Sequence, residues 1–377
     1  MANDTLPTEE TITVNPPLVN HTIYLWFTIV LFFIGLFGNI MIIMAYILYK
    51  KLRSHATTFV VNTAVADICV GVLGDIFIII GIATNGEYLN PDVPGNTKTL
   101  CVFSSFLCAS VCIVSVWSIA AASFNGYVRV CHTASYNKIF NHVTMPIMIC
   151  SLWAAGILIL LPTLVGWGAH HYDDVLKFCI PTATASVSYT YFMVFLGWGI
   201  PLVVILYSFG RIIWTVRASS KIMKRHSTRN KSAKGSVKDK SGSKKPRADM
   251  ALIRSVAIIA FYFFAAYGFL LIILLMGDNY LGGAPSVVFA VVLAHTHCTF
   301  SGILFAGTNQ RFRDAYGNMF CCISEKQAAT ESSTGSSFSS RLSKLSRFSS
   351  KQQSQQQSLV PSVSGNLTSE PASETKT

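Results

Sequence analysis

Seven long apolar runs constrain this chain more than any other feature of its sequence. They lie at about 23–49, 57–83, 101–130, 143–167, 187–215, 250–276 and 285–307. A helix of roughly 20 apolar residues matches the thickness of the hydrocarbon core of a bilayer, and it satisfies its own backbone polar groups there. The runs therefore predict an all-α membrane protein, a bundle of seven transmembrane helices. Charged residues are only 12% of the 377, about half of what a soluble domain carries.

The positions of the charges and cysteines predict the orientation of this bundle. With the N-terminus outside, only Lys98 and Lys177 of the 29 Lys and Arg residues lie outside. Because short cytoplasmic loops concentrate basic residues, we expect an extracellular N-terminus and a plasma-membrane location. The net charge of +12 then reflects topology, and nucleic acid is not an expected partner. Of ten cysteines, only Cys101 and Cys179 lie in the oxidising exterior, which predicts a disulfide between them.

The remaining segments are expected to differ in character. We predict an extracellular N-terminus over 1–22, the bundle over 23–308, an amphipathic helix over 309–322 on membrane lipids and a disordered cytoplasmic tail over 323–377. A further disordered basic linker is expected over about 216–249. Two groups of modification sites follow from the sequence: Asn3 and Asn20 for glycosylation, and Cys321 and Cys322 for palmitoylation.

Motifs within the apolar runs carry a family resemblance. The most specific are Gly38-Asn39, N-T-A-V-A-D from Asn62 to Asp67, Trp153, Pro201, and N-Q-R-F-R from Asn309 to Arg313. With the seven spans and the expected disulfide, they resemble the rhodopsin-like G-protein-coupled receptors. The stretch Y-V-R-V-C-H-T-A-S-Y-N-K looks most like melatonin receptors, and P-T-L-V-G-W-G looks more like opsins. The resemblance implies an unknown extracellular ligand, a heterotrimeric G protein or arrestin inside, and a second receptor copy as a further candidate partner.

Several switch motifs of that family are altered in this sequence. The family's D-R-Y reads Asn125-Gly126-Tyr127, so glycine replaces the arginine that engages the G protein. Arg129 lies three residues further along, where helical geometry rotates it off the inward face. The family's N-P-x-x-Y reads Ser301-Gly302-Ile303-Leu304-Phe305. The sixth span has no C-W-x-P; counted from Phe261, the equivalents are Phe264, Ala265 and Tyr267.

Ionisable residues inside a membrane are costly and are functional candidates by default. The resemblance places Asp67 at the family's sodium-binding position, with Asn39, Ser115, His297 and Ser301 in the same polar core. An imidazole here would supply a cation where sodium otherwise binds, and would make the resting state sensitive to pH. The alternative is a neutral His297 that is hydrogen-bonded in the polar core. No metal site is expected.

A ligand pocket is expected nearer the outer surface. Asp75 lies two turns outward of Asp67, and with His295 it would anchor a ligand among Tyr267 and Trp198; the alternative is that these side chains only pack. An amine ligand is disfavoured because residues 108–115 contain no acid. His295 stands where opsins carry the retinal-attachment lysine, so no retinal or other cofactor is expected.

Three classes of function are compatible with these features. The first is a receptor that signals to a G protein or arrestin. The second is a decoy or scaffold of the same fold that modulates partner receptors without coupling, which the glycine at 126 favours. The third, a transporter, channel or metal hydrolase around His295, His297 and Asp67, lacks repeat symmetry and an acidic metal cluster. No catalytic motif indicates an enzyme.

Overall fold

The bundle predicted from the apolar runs is confirmed. The computed structural model describes residues 19–231, 245–277 and 283–320. Asn3, Cys321, Cys322 and the tail over 323–377 lie outside the described residues, so their predicted roles stay predictions. Within the described ranges, seven helices are long and apolar enough to cross a membrane. They are α1 (His21–Leu48), α2 (His55–Ala83), α3 (Lys98–Cys131), α4 (Thr144–Leu164), α5 (Val187–Lys221), α6 (Lys245–Met276) and α7 (Gly283–Thr308).

Polar residues at the start of three helices explain where those helices begin. The Asn20 side chain accepts hydrogen bonds from the backbone N–H groups of Thr22 and Ile23 at 3.1 and 3.2 Å. Ser54 caps α2 and Ser186 caps α5 in the same way. Such caps satisfy backbone donors that have no partner within the helix. Asn20 is exposed and uses its carbonyl oxygen for the cap, which leaves its amide nitrogen available for the predicted glycan.

Two helices extend into the segment that the sequence analysis assigned to a disordered linker. The helix of α5 continues to Lys231, and α6 begins at Lys245, so the predicted linker over 216–249 is wrong at both ends. The stretch from 216 to 231 contains no Gly or Pro, so nothing in it interrupts a helix that is already formed.

Two wide turns interrupt the regular α-helical geometry, and neither was predicted. A π-helical turn covers Gly71–Asp75 in α2, and another covers Phe195–Gly199 in α5. Turns of this kind usually arise from one additional residue in a helix and are frequent at functional sites. Asp75 lies at the end of the first turn and Trp198 lies within the second.

A β-hairpin between α4 and α5 covers one end of the bundle, which we call the hairpin end. Its strands β1 (His170–Asp173) and β2 (Phe178–Pro181) are antiparallel, and Tyr172 pairs with Cys179. The predicted disulfide joins Cys179 to Cys101 of α3 with a Cα–Cα distance of 5.4 Å. The hairpin also lies directly on α2, because a Cβ at Gly81 would come within 1.9 Å of the Lys177 carbonyl oxygen.

Helices α1 and α7 approach closely through glycine. A Cβ at Gly302 would lie 2.6 Å from the Gly38 backbone, and one at Gly35 would lie 3.2 Å from the Thr299 Cα. Small residues at membrane helix interfaces permit this close packing. Gly302 therefore has a structural reason to stand where the resemblance expects proline.

An eighth helix, α8 (Gln310–Phe320), follows α7 almost directly. The Asn309 side chain caps it by accepting from the Arg311 backbone N–H at 3.0 Å. Phe312 is fully buried and its ring contacts Phe305 at 5.4 Å, whereas Arg311 and Arg313 are exposed. This division of faces matches the predicted amphipathic helix.

Candidate ligand cavity and polar core

A cavity of about 510 Å³ lies at the hairpin end of the bundle. Its walls come from α3, α5, α6, α7 and the hairpin, and they are mostly apolar. This volume is within the range of pockets for small molecules. The lining includes Cys112, Trp198, Tyr267 and His295. Three of the four residues predicted to form a ligand pocket therefore line this cavity.

Two aromatic side chains that line the cavity carry buried polar atoms without a hydrogen-bond partner. Trp198 and Tyr267 are 6% and 2% exposed, and their rings lie 5.7 Å apart. Neither the Trp198 Nε1–H nor the Tyr267 hydroxyl has a hydrogen-bond partner among the described residues. The Tyr267 hydroxyl lies near the Cys112 thiol, but without hydrogen-bond geometry. A buried donor without a partner costs about 1–3 kcal/mol, which a ligand acceptor at this position would offset.

Asp75 does not itself reach the cavity, which corrects its expected role. It is 5% exposed, and its Oδ1 lies 2.8 Å from Nδ1 of His295. Among the described residues Asp75 lines only narrow crevices beside α1 and α7, whereas His295 lines the cavity. The wide turn at Gly71–Asp75 changes the direction of this carboxylate relative to a regular helix. Asp75 therefore orients the imidazole, and His295 is the group that a ligand would meet.

The base of the hairpin is held by a buried histidine. In His170, Nδ1 lies 2.7 Å from the Ser105 hydroxyl and Nε2 lies 2.8 Å from the Thr163 hydroxyl. These contacts join the hairpin to α3 and α4. Burial lowers the pKa of His170 to about 4, because the positively charged form of the ring is poorly stabilised where water is excluded.

The polar core lies deeper in the bundle, around Asp67. Ser115 donates a hydrogen bond to Asp67 Oδ1 at 2.6 Å, while Asp67 Oδ2 is buried and has no partner among the described residues. His297 Nε2 lies 3.5 Å from Asp67 Oδ1 but 3.1 Å from the thiol of Cys298. The structure thus brings the predicted Asp67, Ser115 and His297 together, and it adds Cys298, which the sequence analysis missed.

Asn39 and Ser301 form a neighbouring part of the same core. Ser301 donates to Asn39 Oδ1 at 2.9 Å, and Asn39 Nδ2 donates to the carbonyl oxygens of Gly35 and Cys298 at 3.0 and 2.7 Å. The glycine contact between α1 and α7 allows Asn39 to reach the α7 backbone. Asn39 and Ser301 therefore join α1 to α7.

Aromatic rings connect the cavity to the polar core. The Phe263 ring stacks on Tyr267 at 4.5 Å and contacts the edge of His297 at 4.7 Å. Phe261, from which the sixth span was counted, is 78% exposed, whereas Phe263 is 1% exposed. The register counted from Phe261 is therefore wrong for the inward face of α6, which presents Phe263 and Tyr267.

Comparison with known proteins agrees with this architecture. The model of the rhodopsin family of 7-transmembrane receptors matches residues 38–324. The chain belongs to this family. Its fold is similar to that of squid rhodopsin, with a TM-score of 0.66 and 20% identity over 80% of this chain and 86% of that one.

Curated relatives in the family include melatonin receptors. The type 1C receptor of Gallus gallus is 31% identical over 49% of this chain and 51% of its own length, and the human type 1B receptor is 29% identical over 46% of each. The chain thus spans about half the length of the curated relatives it matches. The resemblance to melatonin receptors and opsins is confirmed at the level of the family, whose members are receptors and not enzymes.

At the other end of the bundle, Gly126 of α3 lies directly against isoleucine side chains of α5 and α6. A Cβ at Gly126 would lie 3.1 Å from Cγ1 of Ile253 in α6 and 3.8 Å from Cδ1 of Ile212 in α5. Ile253 and Ile212 are 9% and 3% exposed. Glycine at 126 therefore lets α6 pack against α3 where the family's arginine would extend.

Tyr136 brings together the residues beside Gly126. Its hydroxyl donates to Asn125 Oδ1 at 3.3 Å and accepts from Arg129 at 3.3 Å, and the Arg129 guanidinium lies 5.1 Å from the ring centroid. The Tyr127 hydroxyl instead contacts Nε2 of His132 at 2.7 Å. Arg129 is thus engaged by Tyr136. Tyr136 lay within the melatonin-receptor-like stretch but was not singled out.

Proposed function

We propose that this protein is a plasma-membrane receptor, with its N-terminus and hairpin end outside, that binds a small molecule in the 510 Å³ cavity and signals to a G protein or arrestin inside. The observation that carries this proposal is the pair of unsatisfied donors at the cavity, Trp198 Nε1–H and the Tyr267 hydroxyl. Both donors belong to side chains that line the cavity but are themselves buried, so a ligand that turns either ring towards its acceptor gains a hydrogen bond that the protein does not make itself.

The cavity favours an uncharged, largely apolar ligand that carries a hydrogen-bond acceptor. Trp198 can only donate, so an acceptor must face it. The deep carboxylate, Asp75, is paired with His295. The acid that lines the cavity, Asp173, accepts hydrogen bonds from the Val175 and Leu176 backbone N–H groups, so both carboxylates already have partners within the protein. Because the curated relatives are melatonin receptors, melatonin is the first compound to test.

The ring contacts offer a physical route for the signal. A ligand that moves Tyr267 must also move Phe263, which stacks on it, and His297, which packs against both rings. His297 lies beside Asp67 and on the same helix as Ser301, which is bonded to Asn39 of α1. Ligand binding would thereby change the relative stability of two arrangements of α6 and α7.

The Gly126 contact provides the test of coupling. An arginine at 126 places its Cβ 3.1 Å from Cγ1 of Ile253, so Ile253 or α6 must shift to admit it, and it also restores the charged group that engages a G protein in the family. We expect Gly126→Arg to raise basal second-messenger output several-fold over wild type in a panel that reads G-protein and arrestin responses. Gly126→Ala is the matched control, because it adds only the Cβ and no charge.

A second candidate function, a decoy or scaffold receptor, is favoured by the same glycine. Flat output from wild type and from Gly126→Arg at equal surface expression, with and without melatonin, would contradict the signalling proposal. Altered signalling of a co-expressed partner receptor would then support the scaffold.

A further inference from the structure

The polar core contains a set of donor atoms that suits a transition metal. One nitrogen of His297, the thiol of Cys298 and a carboxylate oxygen of Asp67 all lie within 4.8 Å of one another. All three side chains are at least 97% buried. We propose that these residues form a binding site for a divalent transition metal, best matched by Zn²⁺, that joins α2 to α7.

The distances between the donors are close to those of a tetrahedral zinc site. Zinc bonds of about 2.0–2.1 Å to nitrogen, 2.1 Å to oxygen and 2.3 Å to sulfur place nitrogen and sulfur about 3.6 Å apart and nitrogen and oxygen about 3.4 Å apart. In the structure His297 Nε2 lies 3.1 Å from Cys298 Sγ and 3.5 Å from Asp67 Oδ1. The distance from Cys298 Sγ to the Asp67 oxygen is at most 4.8 Å, against about 3.6 Å in a tetrahedral site, so side-chain shifts of about 1 Å would complete the geometry.

The hydrogen bonds around the cluster prepare the donor atoms for a metal. Nδ1 of His297 lies 2.7 Å from the carbonyl oxygen of Ala294. A carbonyl only accepts, so Nδ1 carries a proton, and Nε2 can bind a metal when it is unprotonated. Metal-binding histidines typically use their second nitrogen in this way. The Cys298 thiol lies 3.1 Å from Nε2 and 3.6 Å from Nδ1, so the ring must turn to direct Nε2 between the thiol and Asp67.

The carboxylate is prepared in a similar manner. Ser115 donates to Asp67 Oδ1 at 2.6 Å and fixes the group, while Oδ2 is buried without any partner among the described residues. An unpaired, buried carboxylate oxygen is costly, and a cation would satisfy it. The donor set of nitrogen, sulfur and one carboxylate is typical of zinc rather than of an alkali cation, which prefers oxygen.

The charges also balance in the membrane. On binding, the Cys298 thiol releases one proton, so that Zn²⁺ with one thiolate, one carboxylate and a neutral imidazole has no net charge. A neutral complex avoids the cost of a net charge in hydrocarbon. A narrow crevice between α1, α2 and α7 has Asp67 and Cys298 in its walls.

Metal content and cobalt spectroscopy test this proposal without any signalling readout. A failure of the metal-site proposal can therefore be told apart from a failure of the proposed receptor function. The full chain, purified in detergent, is stripped with a chelator, loaded with Zn²⁺ and dialysed. We expect wild type to retain one equivalent of zinc and, loaded with Co²⁺, to show a thiolate-to-cobalt charge-transfer band. Cys298→Ser and His297→Gln should lose both. Ser115→Ala should bind about tenfold more weakly, as expected when a group that positions a ligand is removed.

Two matched controls separate this site from other thiols. Cys112→Ser removes a buried thiol at the cavity, and Cys150→Ser removes an exposed one; both should bind like wild type. No zinc retention by wild type, or loss of the cobalt band in Cys112→Ser but not in Cys298→Ser, would overturn the assignment. If Cys298→Ser does not fold, His297→Gln and Ser115→Ala decide the matter by the same measurements.

Discussion

At the scale of single residues, His170 links the hairpin to two helices through a ring that must stay neutral. Its pKa is about 4 in the folded protein, against an ordinary value of 6.5. Well above pH 6.5 the ring is neutral in both folded and unfolded chains and contributes no pH dependence. As the pH falls from 6.5 towards 4, the unfolded chain takes up the proton first, so the stability of the folded protein decreases.

We therefore predict that thermal stability falls on acidification, with His170 responsible for about 2 kcal/mol between pH 7 and pH 5. His170→Gln should have a flatter dependence of melting temperature on pH than wild type. The exposed neighbour His171 is the control. Its charge also lowers the pKa of His170, but less than burial does, so His171→Gln should retain most of the slope of wild type. Equal slopes for all three proteins would contradict the assignment to His170.

Asp75 and His295 show what the sequence can and cannot predict about a site. Asp75 and His295 were identified as candidates because they are ionisable residues within apolar runs. Helical spacing placed both at a similar depth in the membrane. The wide turn at Gly71–Asp75 has no clear signature in a sequence read alone, because it depends on how α2 packs. It determines that Asp75 lies behind His295 and not at the cavity. Cys298 was missed because a single cysteine in an apolar helix is usually a small buried hydrophobe.

At the scale of elements, the glycine contact between α1 and α7 sets how closely these helices pack. We predict that Gly302→Ala destabilises the protein by about 1–3 kcal/mol, since its Cβ would lie 2.6 Å from the Gly38 backbone and the helices must separate. Gly307→Ala, in the same helix with nothing within 4 Å of its Cβ, should be neutral or slightly stabilising. Melting temperatures of the two purified variants check this.

The same contact gives a second readout. Separation of α1 from α7 should weaken the hydrogen bond from Asn39 to the Cys298 carbonyl oxygen, so adding Asn39→Ala to Gly302→Ala should cost less than the sum of the two single changes. Full additivity would show that the glycine contact does not position Asn39.

The elements themselves were largely predictable. Apolar length located most boundaries of the seven spans to within a few residues, as for α1, which begins at His21 where 23 was expected. It missed the continuation of α5 to Lys231 and the start of α6 at Lys245, because those extensions are polar. The hairpin was not predicted, because its strands have four residues each and no turn motif marks them. Its position depends on the disulfide and on contact with Gly81, which are long-range features.

At the scale of the whole molecule, the disulfide closes a loop that contains all of α4. Cys101 and Cys179 are 78 residues apart in sequence. In the chain-entropy description a loop of this size contributes about 4 kcal/mol, and less where helices persist in the unfolded chain. We predict that the double variant Cys101→Ser/Cys179→Ser loses about 2–4 kcal/mol and unfolds at lower temperature. Cys150→Ser, which removes an exposed free thiol, should melt like wild type.

The wide turns in α2 and α5 matter to anyone who transfers positions from a relative. One additional residue rotates everything beyond it by about 100° around the helix axis. A gapless alignment anchored at the Gly126 end of the bundle, with a protein that lacks the turns, would therefore assign the hairpin-end halves of α2 and α5 one place out of step. Chimeras, cross-linking pairs and binding-site libraries built on such an alignment would target the wrong side of α2 after Asp75 and of α5 before Phe195.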